Sequence, residues 1–167
     1  MTYQFHYDSP LGRIWLTGDG DSLTGLWFDG QKKNADAICN PHKEKSVPVF
    51  SDTVRWLDLY FAGRDPGFTP RLRTEATPFR TAVWSVLRTI PYGQTMTYGM
   101  IADAIAAQFG RSRMSAQAVG GAVGHNPIAL IIPCHRVIGA DGSLTGYAGG
   151  LDRKRRLLQL EGVEVPL

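Results

Sequence analysis

Ile131-Ile132-Pro133-Cys134-His135-Arg136-Val137 is the stretch from which the rest of the chain is best read. An apolar run delivers a proline, then a cysteine, then two side chains able to carry positive charge, then apolar residues again. Proline fixes its own φ and has no N–H for a helix or ladder, and it biases Ile132 toward extended backbone. The cysteine therefore sits where regular structure stops, on stiff backbone. A thiol beside an imidazole and a guanidinium can be shifted toward thiolate, the form that attacks electrophiles. The alternative is a small buried cysteine on an apolar strand, the commoner fate of an intracellular cysteine. These seven residues alone leave the two readings level.

Upstream of this stretch the pattern is helical. Thr77-Pro78 pairs an N-cap hydroxyl with proline at the first helical position. Phe79, Ala82, Val83, Val86, Leu87 and Ile90 then recur at the spacing of one apolar helix face, and Pro91-Tyr92-Gly93 stops it. Thr97-Tyr98-Gly99 begins another helix, which runs to about Phe109 and Gly110. A basic turn follows (Gly110-Arg111-Ser112-Arg113-Met114), and Ser115 can cap a third helix over 116–124. Two short helices across such a turn predict a helix-turn-helix. The third helix is small-sided, with Ala116, Ala118, Gly120, Gly121, Ala122 and Gly124. Each mid-helix glycine costs about 1 kcal/mol relative to alanine. The glycines therefore ask for a close approach, by another helix or by a nucleic-acid groove. Downstream, Ser143 to Gly150 is a small-residue loop with one aromatic, and it lacks the Lys-Ser/Thr of a phosphate-binding loop. Asp152 opens a last helix with 153–156 outside and Leu157, Leu158 and Leu160 inside. Its Glu161 faces the negative end of the helix dipole, an unfavourable place that makes it a candidate for a role.

The first half reads differently. Tyr3–Tyr7, Arg13–Thr17 and Leu23–Phe28 are strand-like runs separated by turn residues, which predicts an antiparallel meander. Cys39-Asn40-Pro41-His42 has the spacing of half a zinc site, but a surface loop is the preferred reading. Ser51-Asp52-Thr53 is expected to cap a helix reaching Phe61, and residues 63–76 read as a linker. The division expected is 1–76 as a small α/β domain with an antiparallel sheet and 77–167 as a mainly α domain. The fold class is α+β.

The chain has 167 residues, 43% hydrophobic and 20% charged, the balance of a soluble globular protein. It has no apolar run long enough for a bilayer and no signal-like N-terminus, so a cytoplasmic location is expected. Two cysteines make a disulfide framework improbable. The net charge of +3 is uneven. Residues 1–75 carry nine Lys/Arg against ten Asp/Glu, and residues 76–167 carry nine against five. The basic half suits a polyanion.

Several segments together carry a resemblance. They are Tyr98-Gly99, Ala118-Val119-Gly120-Gly121-Ala122, Asn126-Pro127, Ile132-Pro133-Cys134-His135-Arg136-Val137-Ile138-Gly139, Thr145-Gly146-Tyr147-Ala148-Gly149-Gly150-Leu151 and Leu157-Leu158-Gln159-Leu160-Glu161-Gly162. From Thr77 to Gly162 the chain resembles the O6-alkylguanine-DNA alkyltransferases, and more loosely from Ser9 to Phe28. The resemblance implies DNA repair by irreversible, single-turnover transfer of the O6-alkyl group of guanine, and of O4-alkyl from thymine, to Cys134 after base flipping. The partner implied is double-stranded DNA containing alkylated bases, bound by a monomer. No cofactor and no metal are expected.

The resemblance also distributes roles. Cys134 is the nucleophile, with His135 as its base through a water and Glu161 orienting the histidine. Tyr98 donates to the leaving base, and Asn126 ties the recognition helix to the cysteine turn. Tyr147, Ala148, Gly149 and Val137 line the substrate pocket. Ser115, Gln117, Ala118, Gly121 and Arg113 meet DNA, with Arg111 and the 153–156 cluster as phosphate contacts. The chain departs from the family at Gln117, where members commonly carry an arginine that fills the space of the flipped base. Gln117, or Arg113 from a longer turn, takes that place here. Two other readings compete. One is a non-catalytic lesion-binding or helix-turn-helix regulatory protein, against which Cys134 itself argues. The other is a cysteine hydrolase using Cys134 and His135, for which no further acyl-transfer signature exists.

Overall fold

The computed structural model describes residues 2–31, 43–44 and 47–165. The Cys39–His42 half-site lies outside the described residues. The chain divides into two compact units, Met1–Thr74 and Glu75–Leu167.

In the first unit, β1 (Tyr3–Ser9), β2 (Gly12–Gly18) and β3 (Leu23–Phe28) form the antiparallel meander expected from their alternation. The tight β1–β2 turn needs Gly12, at φ 115°, a left-handed value costly for other residues. Ile14 and Leu16 are fully buried, while Trp15 between them is half-buried against His6 on the other face. A short parallel strand, β4 (Lys43–Glu44), adds beside β1, giving the order β3-β2-β1-β4, which periodicity did not reveal.

Helix α1 (Pro48–Phe61) covers the sheet with Phe50, Leu57 and Tyr60 fully buried. It begins one turn before the expected Ser51–Thr53 cap, because Pro48 occupies the first turn with its φ already helical. Thr53 is instead interior, its hydroxyl donating to the Val49 carbonyl at 2.7 Å. The stretch read as a linker is stitched to the sheet edge. Leu23 N–H donates to Arg71 O at 2.7 Å, and Arg73 N–H donates to Leu23 O at 3.0 Å.

The second unit is built on α2 (Pro78–Leu87), β5 (Met96–Thr97), α3 (Tyr98–Gln108), α4 (Ala116–Gly124), a 3₁₀ turn (Cys134–Arg136), β6 (Val137–Ile138) and α5 (Leu151–Leu160). The caps expected at Thr77 and Ser115 form, and Thr97, read only as the start of its helix, caps it in the same way. Thr77, Thr97 and Ser115 each accept, on the side-chain oxygen, the backbone N–H three residues on. Each such cap contributes about 1 kcal/mol. Ala82, Val83, Leu87 and Ile90 are buried as their spacing requires, and Trp84 joins them. Its indole N–H donates to Ala122 O at 2.9 Å, pinning α2 to α4. With α3, these helices form the expected helix-turn-helix core. β5 and β6 pair in parallel, Met96 with Val137 and Thr97 with Ile138, and so fix the strand that leaves the cysteine turn.

Candidate active site

Local backbone places the cysteine. Pro133 has φ −82° and ψ 66°, and Cys134 N–H donates across it to Ile132 O at 2.8 Å. That is an inverse γ-turn, a conformation proline reaches without strain. A second tight turn precedes it. Ile131 N–H donates to Ala129 O at 2.8 Å around Leu130, whose φ of 68° is the single positive value on a non-glycine among the described residues. A left-handed leucine costs on the order of 1–3 kcal/mol and persists only where surroundings enforce it. Here burial of the Leu130 side chain enforces it.

Asn126 spans these turns. Its amide donates to Ile132 O at 2.7 Å, and its Oδ1 accepts from Ile128 N at 3.0 Å. These bonds join the residue just past α4 to the backbone before the cysteine. Asn126 also pulls the Cys134 thiol pKa down.

His135, Arg136 and Glu161 form one buried cluster. His135 Nε2 lies 2.5 Å from Glu161 Oε2. Arg136 Nε donates to Glu161 Oε1 at 2.8 Å, and the Gly93 N–H donates to the same oxygen at 2.9 Å. Arg136 also donates to Ile90 O at 2.7 Å and lies over the Tyr92 ring. Burial opposes ionisation of Glu161, but the His135 hydrogen bond and charge, Arg136 and the Gly93 N–H hold its carboxyl down at about 2. Burial also draws His135 below its usual value, against the pull of Glu161. An ionised Glu161 can only accept, so the neutral imidazole carries its proton on Nε2. Nδ1 is then the ring atom that can take a proton from the thiol. Burial pushes the Cys134 thiol up, while Asn126, Lys154 and nearby backbone N–H groups pull it down. The nucleophile therefore needs a base, and the buried neutral imidazole can serve.

These shifts set an acid sensitivity. The folded value of His135 lies below its unfolded value, so the unfolded chain binds more protons as pH falls through about 6.5. Glu161 is likewise depressed, so its stabilisation is complete above about 4.5 and is lost as pH falls toward about 2. The second unit is expected to lose stability on acidification in two stages, the lower worth about 3 kcal/mol. Urea unfolding of wild type and Glu161→Gln as a function of pH checks this. The lower stage should vanish in the variant.

Tyr98 sits half-buried with its hydroxyl 3.4 Å from Thr145 O, and its ring lies beside the position a Gly120 side chain would occupy. Tyr147 is half-buried with its hydroxyl buried and without a hydrogen-bond partner. Burial, and then the charge of Cys134, hold its pKa well above 10, so it remains a neutral donor. Ala148 is exposed and Gly149 half-buried beside it. Val137, expected to line the pocket, is fully buried in the β5–β6 pair. The residues expected to meet DNA lie on α4 and the turn before it. Arg111, Arg113, Ser115, Gln117, Ala118 and Gly121 are all exposed.

One residue was misplaced by sequence reasoning. The 153–156 cluster was expected on the outside of its helix, yet Lys154 is fully buried. Its ammonium donates to Thr145 O at 2.8 Å and Gly146 O at 3.3 Å. The signal was available in the spacing. Lys154, Leu157, Leu158 and Glu161 stand at i, i+3, i+4 and i+7, one helix face.

With this geometry in view, comparison with known proteins is decisive. Residues 78–163 match the family model of the 6-O-methylguanine DNA methyltransferase DNA binding domain. Residues 2–74 match that of the ribonuclease-like domain of the same family. The chain belongs to the 6-O-methylguanine DNA methyltransferase family. It is 46% identical to the methylated-DNA–protein-cysteine methyltransferase of Mycobacterium bovis, with 96% of this chain and 94% of the relative covered. The Haemophilus influenzae protein of that name is 42% identical over 96% of this chain and 87% of the relative. Among solved structures, Mycobacterium tuberculosis OGT in complex with DNA superposes with a TM-score of 0.82 at 46% identity, covering 95% of this chain and 92% of that one. Like the fold, both family domains run in the order expected for an α+β member. Among the described residues, no helix is long and apolar enough to cross a membrane.

Proposed function

We propose that the protein repairs DNA by transferring the O6-alkyl group of guanine, and O4-alkyl of thymine, to Cys134. The observation that carries this reading is the buried Cys134 next to a histidine locked by an ionised Glu161, in a chain of this family. In the reaction, His135 Nδ1 takes the thiol proton. The sulfur attacks the alkyl carbon, the bond from that carbon to O6 breaks, and its electron pair leaves with the guanine. Tyr98 donates a hydrogen bond to the departing base, and the net proton passes from thiol to guanine. The product is a thioether without a good leaving group, so each molecule acts once. A cytoplasmic location with access to DNA accords with this role.

The base must leave the helix stack to reach a buried sulfur. Exposed α4 supports a docked duplex, with Gln117 or Arg113 filling the gap. A side chain at Gly121 would meet nothing within 4 Å in the protein, so packing between helices does not account for this glycine. Gly121→Ala is therefore expected to stabilise the fold by about 0.5–1 kcal/mol while weakening duplex binding severalfold. Thermal unfolding and a fluorescence-anisotropy titration check the two halves.

Intact mass after incubation with a duplex containing O6-methylguanine tests the main reading. The protein should gain one CH₂, and Cys134→Ala should not. An unreacted thiol with tight lesion binding would favour the non-catalytic alternative, and multiple turnovers on an ester would favour the hydrolase.

A further inference from the structure

We propose that Lys154 is a positioning residue for alkyl transfer, its buried ammonium serving as the built-in counter-charge for the Cys134 thiolate. The proposal rests on Cys134 being the nucleophile. Lysine is almost never fully buried unless it is paired. Lys154 is fully buried, and its partners are two neutral backbone carbonyls, Thr145 O and Gly146 O. No described carboxylate pairs with it. Glu161 is committed to His135, Arg136 and Gly93, and Asp152 faces Arg156 at 3.6 Å. A cation in this position is under-compensated, and an apolar side chain would fill the space at less cost.

Cys134 is the group whose negative charge would act on this buried ammonium. Burial draws Lys154 down to about 8, and negative charge on Cys134 pushes it back up. Reciprocally, Lys154 pulls the Cys134 thiol down. The other charged or titratable groups around the pair are His135 and Arg136 from the cysteine turn, Tyr147 from the loop, and Arg153 and Glu161 from α5 and its end. When His135 takes the thiol proton, the sulfur is anionic until the alkyl carbon arrives, and the thioether is then neutral. Lys154 exchanges no proton in this sequence. It balances charge only while the thiolate exists. The same ammonium also anchors Thr145 O, the carbonyl on which the Tyr98 hydroxyl rests, and with it the loop that carries Tyr147.

The test compares wild type, Lys154→Met and Lys154→Arg. The readouts are the Cys134 titration, from iodoacetamide alkylation against pH, and single-turnover methyl transfer from O6-methylguanine duplex against pH. Lys154→Met should move the thiol titration upward by about one unit or more and slow transfer at neutral pH about tenfold, with the loss recovered at higher pH. Lys154→Arg should keep the wild-type titration. A Lys154→Met protein with the wild-type titration and pH profile would overturn the proposal, whatever its stability. Should that variant not fold, NMR titration of ¹³C-labelled lysine in wild type and Cys134→Ser gives the reciprocal reading. Lys154 should titrate lower without the thiolate, and identical titrations would overturn the proposal. Failure of the Cys134 assignment would appear separately, as CH₂ gain by Cys134→Ala.

Discussion

Replacing His135 by asparagine is expected to slow methyl transfer by about 10²–10⁴-fold at neutral pH, the usual contribution of a positioned general base. The reason lies in the state of the sulfur. Burial pushes the Cys134 thiol up, so little thiolate exists unless a neighbour takes the proton. His135 can take it because burial keeps its ring neutral and Glu161 fixes the proton on Nε2. Without the imidazole, only thiolate formed through solvent reacts. The rate should then rise with pH across the range where wild type is level. Duplex affinity should be unchanged, since the proposed DNA face on α4 is exposed and draws no residue from this buried cluster. Single-turnover kinetics against pH, with anisotropy for binding, measure both. A variant within threefold of wild type at neutral pH would remove His135 from the mechanism.

Arg136→Met carries the largest expected effect on stability, a loss of about 3–5 kcal/mol in the second unit. Arg136 donates to Glu161 Oε1 and to Ile90 O and covers the Tyr92 ring. Removing its charge leaves the Glu161 carboxylate buried without its guanidinium partner, beside His135 and the Gly93 N–H. The cost arises from an uncompensated buried charge more than from one lost hydrogen bond. Arg136→Met combined with Glu161→Gln should therefore lose less than the sum of the single changes. Urea unfolding at neutral pH on the four proteins gives the coupling. Additive losses would mean that Arg136 acts through packing alone.

Much of the fold was legible because it is local. Thr77-Pro78, Thr97 and Ser115 cap helices through their own side chains three residues away, and the alternation in Tyr3–Phe28 names a half-buried sheet. Local signals also misled. Ser51 looked like a cap, but Pro48 had already started the helix. Lys154 reads as solvated because it sits among arginines, yet helical phase turns it inward. Glu161 drew notice only because it stood at the wrong end of a dipole, and that discomfort signalled a partner 26 residues upstream.

The sequence by itself determined the cysteine's setting. A proline that reaches a γ-turn without strain places Cys134 beside His135 wherever this stretch folds, and the caps and periodic faces around it are equally local. Only the tertiary structure decided what state those groups are in. Protonation depends on desolvation and on charges brought from distant segments. Gly93 and Arg136 close on Glu161 from 68 and 25 residues away. Those distances are long along the chain and short in space, so no local pattern encodes them.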